Sequence, residues 1–254
     1  MNQRSKSSRF RERFQIMESD CTIVTDVKEG IKIAKEKLKK DLEFLYSFVK
    51  EDPDWNLSYV PIISGNQNSL ILEMEYAAQI CDVGPMAAVA GVLADRMQKE
   101  IFLKTDAQIA VVENGGEIVV DSIEDILIHL KVKSTNLQSK LGFIFKGGSK
   151  PLGMATSSGQ FGHSDSLGEA DTVTIFAESA GIADAAATKI CNCVKGENYK
   201  EAINNGIAVA KTIPSIKGVF IVRKNLIGRY GDLPNLVRIK TDGADSSAGT
   251  NLNT

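Results

Sequence analysis

Residues 153–192 read GMATSSGQFGHSDSLGEADTVTIFAESAGIADAAATKICN, and their order of textures decides the fold. A glycine- and serine-rich turn comes first. A β-patterned run, Thr172 to Ala177, follows, and then an alanine-rich helix that carries Asp184 and Thr188. Permissive backbone ahead of hard oxygen ligands near a helix start is how phosphate- or metal-facing sites are often built. The stretch also holds His163, one of only two histidines in the chain.

Outward from this stretch, blocks of strand and helix replace strict alternation. Phe10, Phe14 and Ile16 alternate with Arg11, Arg13 and Gln15, and Ser19-Asp20 turns into a second strand, Cys21 to Val27. The chain thus opens with a hairpin. Ile31, Ala34, Leu38, Leu42, Leu45 and Val49 recur at helical spacing and predict a long amphipathic helix from Val27 to Lys50, ended by Asp52-Pro53-Asp54. The apolar run from Leu70 to Met97 is broken at Gly84-Pro85, which predicts two helices. Strands are expected at Gln108 to Val112 and Glu117 to Asp121, joined by Asn114-Gly115-Gly116. Further strands are expected at 125–132, 141–146 and 171–177. Helices follow at 180–194 and 199–210, then a hairpin turning at Lys224-Asn225 and an edge strand near Leu236. This order gives an α+β fold with mixed, mostly antiparallel sheets and packed helices. It forms one domain over residues 1–240, and the Gly/Ser/Asn-rich residues 241–254 read as a disordered tail.

A chain of 254 residues with formal net charge -2 offers no dominant basic surface, so nucleic acid is not an expected partner. No apolar run reaches the roughly 20 residues that span a bilayer, and no membrane partner is expected. Four cysteines are too few for a disulfide scaffold at this length, which points to a reducing cytoplasm.

Four groups of residues can carry chemistry. Asp184 and Thr188 are four apart and share a helix face, where a carboxylate and a hydroxyl can hold Mg²⁺. Equally, Asp184 can complement the helix dipole while Thr188 bonds back to a carbonyl. Asn114, Gly115, Gly116 and Glu117 form a turn whose backbone N–H groups can cradle an anion, or an ordinary hairpin turn. Thr156, Ser157, Ser158 and Gly159 offer three hydroxyls and a permissive glycine. His163 and Asp165 just beyond can orient a ligand or move a proton, or sit in a surface loop. Cys81 precedes Gly84-Pro85. A helix starting there would lower its thiol pKa and suit sulfur or redox chemistry, whereas a buried thiol would be inert. The small residues Ala87, Ala88, Ala90, Gly91 and Ala94 suit close helix packing, inside the core or across a homodimer.

Taken together, these pieces resemble the ApbE superfamily, whose best-known members are Mg²⁺-dependent FMN transferases that use FAD. Asn114-Gly115-Gly116-Glu117-Ile118 resembles the family's Gly-Gly-Asp-Ile turn. Ala155 to Gly159 resembles its Thr-Ser-Gly strand, and His163 to Gly168 a shortened, proline-free form of its histidine loop. Ala183-Asp184-Ala185-Ala186-Ala187-Thr188 resembles its metal-binding helix. The likeness runs from about residue 108 to 230 and is closest to an uncharacterised prokaryotic branch. It implies an ApbE-type fold, a flavin or nucleotide ligand (FAD or FMN), and Mg²⁺ on Asp184 and Thr188. It also implies an acceptor protein if transfer occurs. Two other readings stand beside it: a sulfur-handling protein working through Cys81, and a non-catalytic binding module.

Overall fold

The computed structural model describes residues 8–130, 141–158 and 168–239. The chain opens with the expected hairpin, β1 (Phe10–Ile16) and β2 (Ser19–Thr25), in register from Phe10↔Thr25 to Ile16↔Ser19. Helix α1 (Lys28–Glu51) buries Ile31, Ala34, Leu38, Leu42, Leu45 and Phe48, the predicted stripe with Phe48 in place of Val49. The Asp52-Pro53 stop also starts a short helix, α2 (Pro53–Leu57), because the Asp52 carboxylate accepts the Trp55 N–H at 3.0 Å. The sequence reading missed α2.

Helix α3 (Ser69–Cys81) ends at Asp82 in the left-handed region (φ 54°). A 3-10 turn over Pro85–Ala88 leads into α4 (Val89–Lys104), so the Gly84-Pro85 break falls where expected. Strands β3 (Ile109–Asn114) and β4 (Glu117–Ser122) form the predicted hairpin, with Gly115 and Gly116 both at positive φ. Then come β5 (Ile126–Leu130), β6 (Leu141–Phe145), β7 (Leu152–Ser157) and β8 (Thr172–Ala177). Helices α5 (Ala180–Cys193) and α6 (Tyr199–Ala210) precede β9 (Ile216–Arg223), β10 (Leu226–Gly231) and β11 (Asn235–Arg238). Residues 131–132 of the expected fifth strand and the tail 241–254 lie outside the described residues.

The fold is α+β, and every strand pairing among the described residues is antiparallel. An eight-stranded sheet runs β1-β2-β3-β4-β7-β8-β9-β10, and β11-β6-β5 form a separate three-stranded sheet. The glycine- and serine-rich start of the 153–192 stretch is therefore a central strand, β7, and not a turn. Gly153 is required there, because a Cβ would meet the Ser179 carbonyl carbon at 2.1 Å. No single helix among the described residues is long and apolar enough to cross a membrane.

The large sheet has two faces, and alternation decides which residue serves which. Ala110, Val112, Val119, Ala155, Val173, Ile175, Val219 and Ile221 join the core under the helices. Val111, Ile118, Val120, Met154, Phe176, Phe220 and Val222 pack with Phe143 and Phe145 of the small sheet. The small residues of α4 are used within this molecule. A Cβ on Gly91 would meet the Ala180 carbonyl oxygen at 2.2 Å, and one on Gly181 would meet the Val92 side chain at 2.5 Å. That close crossing brings the start of α4 against the start of α5.

Candidate functional site

The crossing of α4 and α5 lies over the end of the sheet that holds the β3–β4 turn. Asn114 and Glu117 pair across that turn, and both share the helix-facing parity of Val112 and Val119. Asn114 is buried. Its Nδ2 donates to the Ala90 carbonyl at 3.1 Å, and its Oδ1 accepts from the Cys21 thiol at 3.3 Å. The turn is thereby tied to the first residues of α4, and the Asn114 amide is engaged in that tie.

Asp184 enters from the first turns of α5. Its Oδ2 accepts the Gly91 N–H at 3.0 Å, and the Ala90 N–H also favours its ionised form. Asp184 thus takes up exposed donors at the start of α4. Asp95, one turn further along α4, returns the arrangement: its two carboxylate oxygens accept the Ala180 and Gly181 N–H groups, each at 2.9 Å. Ser179 caps the same helix through the Ile182 N–H.

Each helix start is therefore capped by a carboxylate from the other helix, and Asp95 (buried), Asp184 and Glu117 (both half-buried) gather at the crossing. Burial pushes the Asp184 carboxyl up to about 7, against the help of the two N–H donors, with Asp95 adding to the rise. Burial raises Glu117 well above the ordinary carboxylate range, and Asp184 raises it further. Burial raises Asp95 to about 6. Three acids gathered beside two helix starts, with their charged forms disfavoured, are groups that could take part in holding a cation. Among the described residues no three acidic, histidine or cysteine side chains converge closely enough to ligate a metal by themselves. An ion here would complete its shell with hydroxyls, water or phosphate oxygens, as Mg²⁺ commonly does. Thr188 stands one turn beyond Asp184 on α5, the spacing read from the sequence.

Not every expected residue joins this cluster. The Thr156 hydroxyl bonds the Thr174 hydroxyl at 3.1 Å, and both share the parity of Met154 and Phe176, the face toward the small sheet. The Thr156 side chain therefore lies across the sheet from Asp184. Ser157 has the parity of Ala155 and faces the helices, at the same end of the sheet as Glu117. Ser158 follows, and Gly159, His163 and Asp165 lie outside the described residues. Gly115 and Gly116 supply the two positive φ angles that the tight turn needs.

Cys81 follows the buried, inert reading and not the reactive one. It is the last residue of α3, so it meets the carbonyl end of a helix and not a ring of N–H groups. The thiol is 1% exposed, donates to the Ile182 carbonyl at 3.7 Å, and is pushed up to about 12 by burial and by Asp184. Those surroundings oppose the thiolate on which the sulfur-handling reading depends. His129 sits in β5, as expected of a strand residue. Sequence reasoning missed Asp95. Its one signal is a carboxylate on the apolar run Val89 to Met97, out of place on a helix that buries Val92, Leu93, Ala94 and Met97.

The fold is shared with solved ApbE proteins. The ApbE protein of Thermotoga maritima superposes with a TM-score of 0.56 at 14% identity, covering 87% of this chain and 97% of its own. The apo flavinyl transferase ApbE of Pseudomonas stutzeri gives 0.52 at 15%, covering 87% and 94%. These likenesses define an ApbE-type fold. The family model described as AbpE bacteria matches residues 2–213, and the chain belongs to that family. Among its relatives is the UPF0280 protein MJ1526 of Methanocaldococcus jannaschii, 37% identical over 236 residues, which span 92% of this chain and 94% of that one. The UPF0280 protein MK0206 of Methanopyrus kandleri is 35% identical over 233 residues, 90% and 93% of the two chains.

Proposed function

We propose that this protein binds a flavin dinucleotide together with Mg²⁺ at the crossing of α4 and α5, and that it serves flavin transfer to an acceptor protein. One observation carries the reading: the Asp184 carboxylate is held by the Gly91 N–H at the start of α4, close enough to Glu117 to raise its carboxyl further, with the Thr188 position one turn away on α5. A carboxylate, a hydroxyl and a second carboxylate are the hard oxygen donors that Mg²⁺ prefers. A bound Mg²⁺ would neutralise diphosphate charge and favour departure of the nucleotide portion.

The chain's own residues have separable parts. Asp184 and Thr188 hold the ion, and Glu117 closes the acidic side. The Gly115-Gly116 turn leaves room for a ligand to approach the backbone. Asn114 fixes that turn against Ala90, and Asp95 fixes the start of α5 so that Asp184 is presented in one position. The solved flavin transferases of the same fold support the flavin as ligand.

The test is a titration of the purified protein with FAD and with FMN, with and without Mg²⁺, beside Asp184→Ala. Mg²⁺-dependent FAD binding lost in the variant supports the proposal. Absence of binding to either flavin under every condition removes it.

A further inference from the structure

A second place in the fold holds unmet hydrogen-bonding capacity. Arg223 ends β9 and has the helix-facing parity of Val219 and Ile221. Its side chain is 5% exposed. Nη2 bonds Glu169, and the guanidinium carbon stands 4.8 Å from the centre of the Tyr199 ring. Nη1 has no partner; among the described residues it is the one buried side-chain nitrogen or oxygen left in that state. A buried donor without an acceptor is costly, and such groups often mark a ligand position.

Arg223 lines a hollow of about 450 Å³ with Glu169, Gly196, Glu197 and Tyr199. Tyr199 is the first residue of α6, a 12-residue helix whose N-terminal end favours negative charge, and Gly196 and Glu197 lie in the turn just before it. Glu169 bonds Arg223 and also accepts the Gly196 N–H at 3.1 Å, yet it is 57% exposed. Glu197 is exposed on the rim. Asp184 is nine residues back along α5 from its last residue, about 13 Å by helical rise, so this hollow lies apart from the acidic cluster.

We infer that this hollow is a binding site for a small zwitterion of the α-amino-acid type. The guanidinium and the α6 start take the carboxylate, and Glu197 and Glu169 take the ammonium. Glu169 is the internal stand-in for the ligand's carboxylate: more than half exposed, it exchanges its bond to Arg223 for the ligand's ammonium, so that Nη1 and Nη2 are both engaged by the ligand's carboxylate. A simple anion is disfavoured, because Glu169 already pairs with the guanidinium and Glu197 adds a second carboxylate to the lining of the hollow. A simple cation leaves Nη1 unmet.

The test is an NMR titration of the full-length ¹⁵N-labelled protein with free L-amino acids, each up to about 10 mM, a ceiling above the Kd of a built site. N-acetylglycine and methylamine are the controls that lack one charge. The expected result is a saturable shift of the Gly196 and Tyr199 amides by at least one amino acid and by neither control. Glu197→Gln should weaken that binding about tenfold. Arg223→Lys should abolish it, and Asp184→Ala should leave it intact. Because Glu197 is exposed, its variant remains informative if Arg223→Lys fails to fold. The inference is overturned if no amino acid shifts these amides, if either control shifts them equally, or if Glu197→Gln binds as the parent does.

Discussion

Asp184 and Gly91 are 93 positions apart in the chain, yet the Gly91 N–H donates to the Asp184 carboxylate at 3.0 Å. That bond joins the first turn of α4 to the early turns of α5, and Asp95 bonds in the opposite sense to Ala180 and Gly181. The two helices are locked start to start, and the lock is built from acids. Structural role and chemical potential thus reside in the same side chains, and the two have to be separated by experiment.

The first separation uses pH. A carboxyl with a native pKa above its unfolded value binds more protons in the folded state, so unfolding free energy falls as pH rises between the two values. For Asp184 that window runs from the ordinary 3.8 to about 7, and for Asp95 from 3.8 to about 6. Through these two groups, metal-free protein should therefore lose stability from about pH 4 to pH 7. Asp184→Asn keeps an oxygen for the Gly91 N–H but removes the titration. It should flatten the fall, and at about pH 8 it should be more stable than the parent. Urea unfolding in the presence of a chelator, over this pH range, checks the slope. A parent protein that gains stability across the window would contradict the account.

Added Mg²⁺ should act most where the carboxyls are ionised. Protons and the ion compete for Asp184 and Glu117, so the rise in Tm on adding Mg²⁺ should be larger at about pH 8 than at pH 6. Saturation at 100 times Kd corresponds to about 2.7 kcal/mol. Thermal unfolding at both pH values measures it, with Asp184→Ala and Thr188→Val as variants. In both, the Mg²⁺-dependent shift should vanish at either pH.

Cys81 should be silent. With its thiol pushed up to about 12 and 1% exposed, it should not react with a thiol reagent near neutral pH in the folded protein. Cys21 is likewise buried and pushed up to about 12, whereas Cys193 is partly exposed and should be modified first. Mass mapping of the labelled sites, native and denatured, distinguishes them. Fast labelling of Cys81 in the native protein would restore the sulfur-handling reading.

Local chemistry made much of this fold legible. The Asn-Gly-Gly turn needs two positive φ angles, and Gly84-Pro85 forbids a continuous helix, so both features stand in the sequence as written. Residue pattern alone reads the start of β7 as a turn, and only the family likeness at Ala155 to Gly159 points to a strand, because Gly153 to Ser157 are chosen by neighbours and not by β propensity: Gly153 packs against Ser179 and Ala180 backbone, and Thr156 against Thr174. The same limit applies to the site. Asp184 and Thr188 are visible as a helical pair, but Asp95 acts on residues 85 and 86 positions away, and no short-range pattern announces that. Thr156 was misplaced for a related reason. Only the pairing of β7 with β4 and β8 reveals which sheet face each of its residues serves.

The packing of α4 on α5 gives the last prediction. Gly91→Ala changes no charge, but its Cβ would lie 2.2 Å from the Ala180 carbonyl oxygen, 2.5 Å from its carbonyl carbon and 2.7 Å from the Gly181 nitrogen. These are backbone atoms, so no rotamer change relieves the clash, and the helices must part. The cost should be roughly 3 kcal/mol, a fall in Tm of roughly 10 °C for a chain of this size. Parting the helices also lengthens the Asp184 and Asp95 bonds, so Mg²⁺ should stabilise the variant less than the parent at equal concentration. By contrast, Gly65→Ala alters a glycine at φ +77° with nothing within 4 Å of its Cβ position. It should cost only the backbone strain, about 1 kcal/mol, and leave the Mg²⁺ response unchanged. Thermal unfolding of the two variants side by side checks both parts. An equal response to Mg²⁺ in both would mean that the ion does not depend on the α4–α5 crossing.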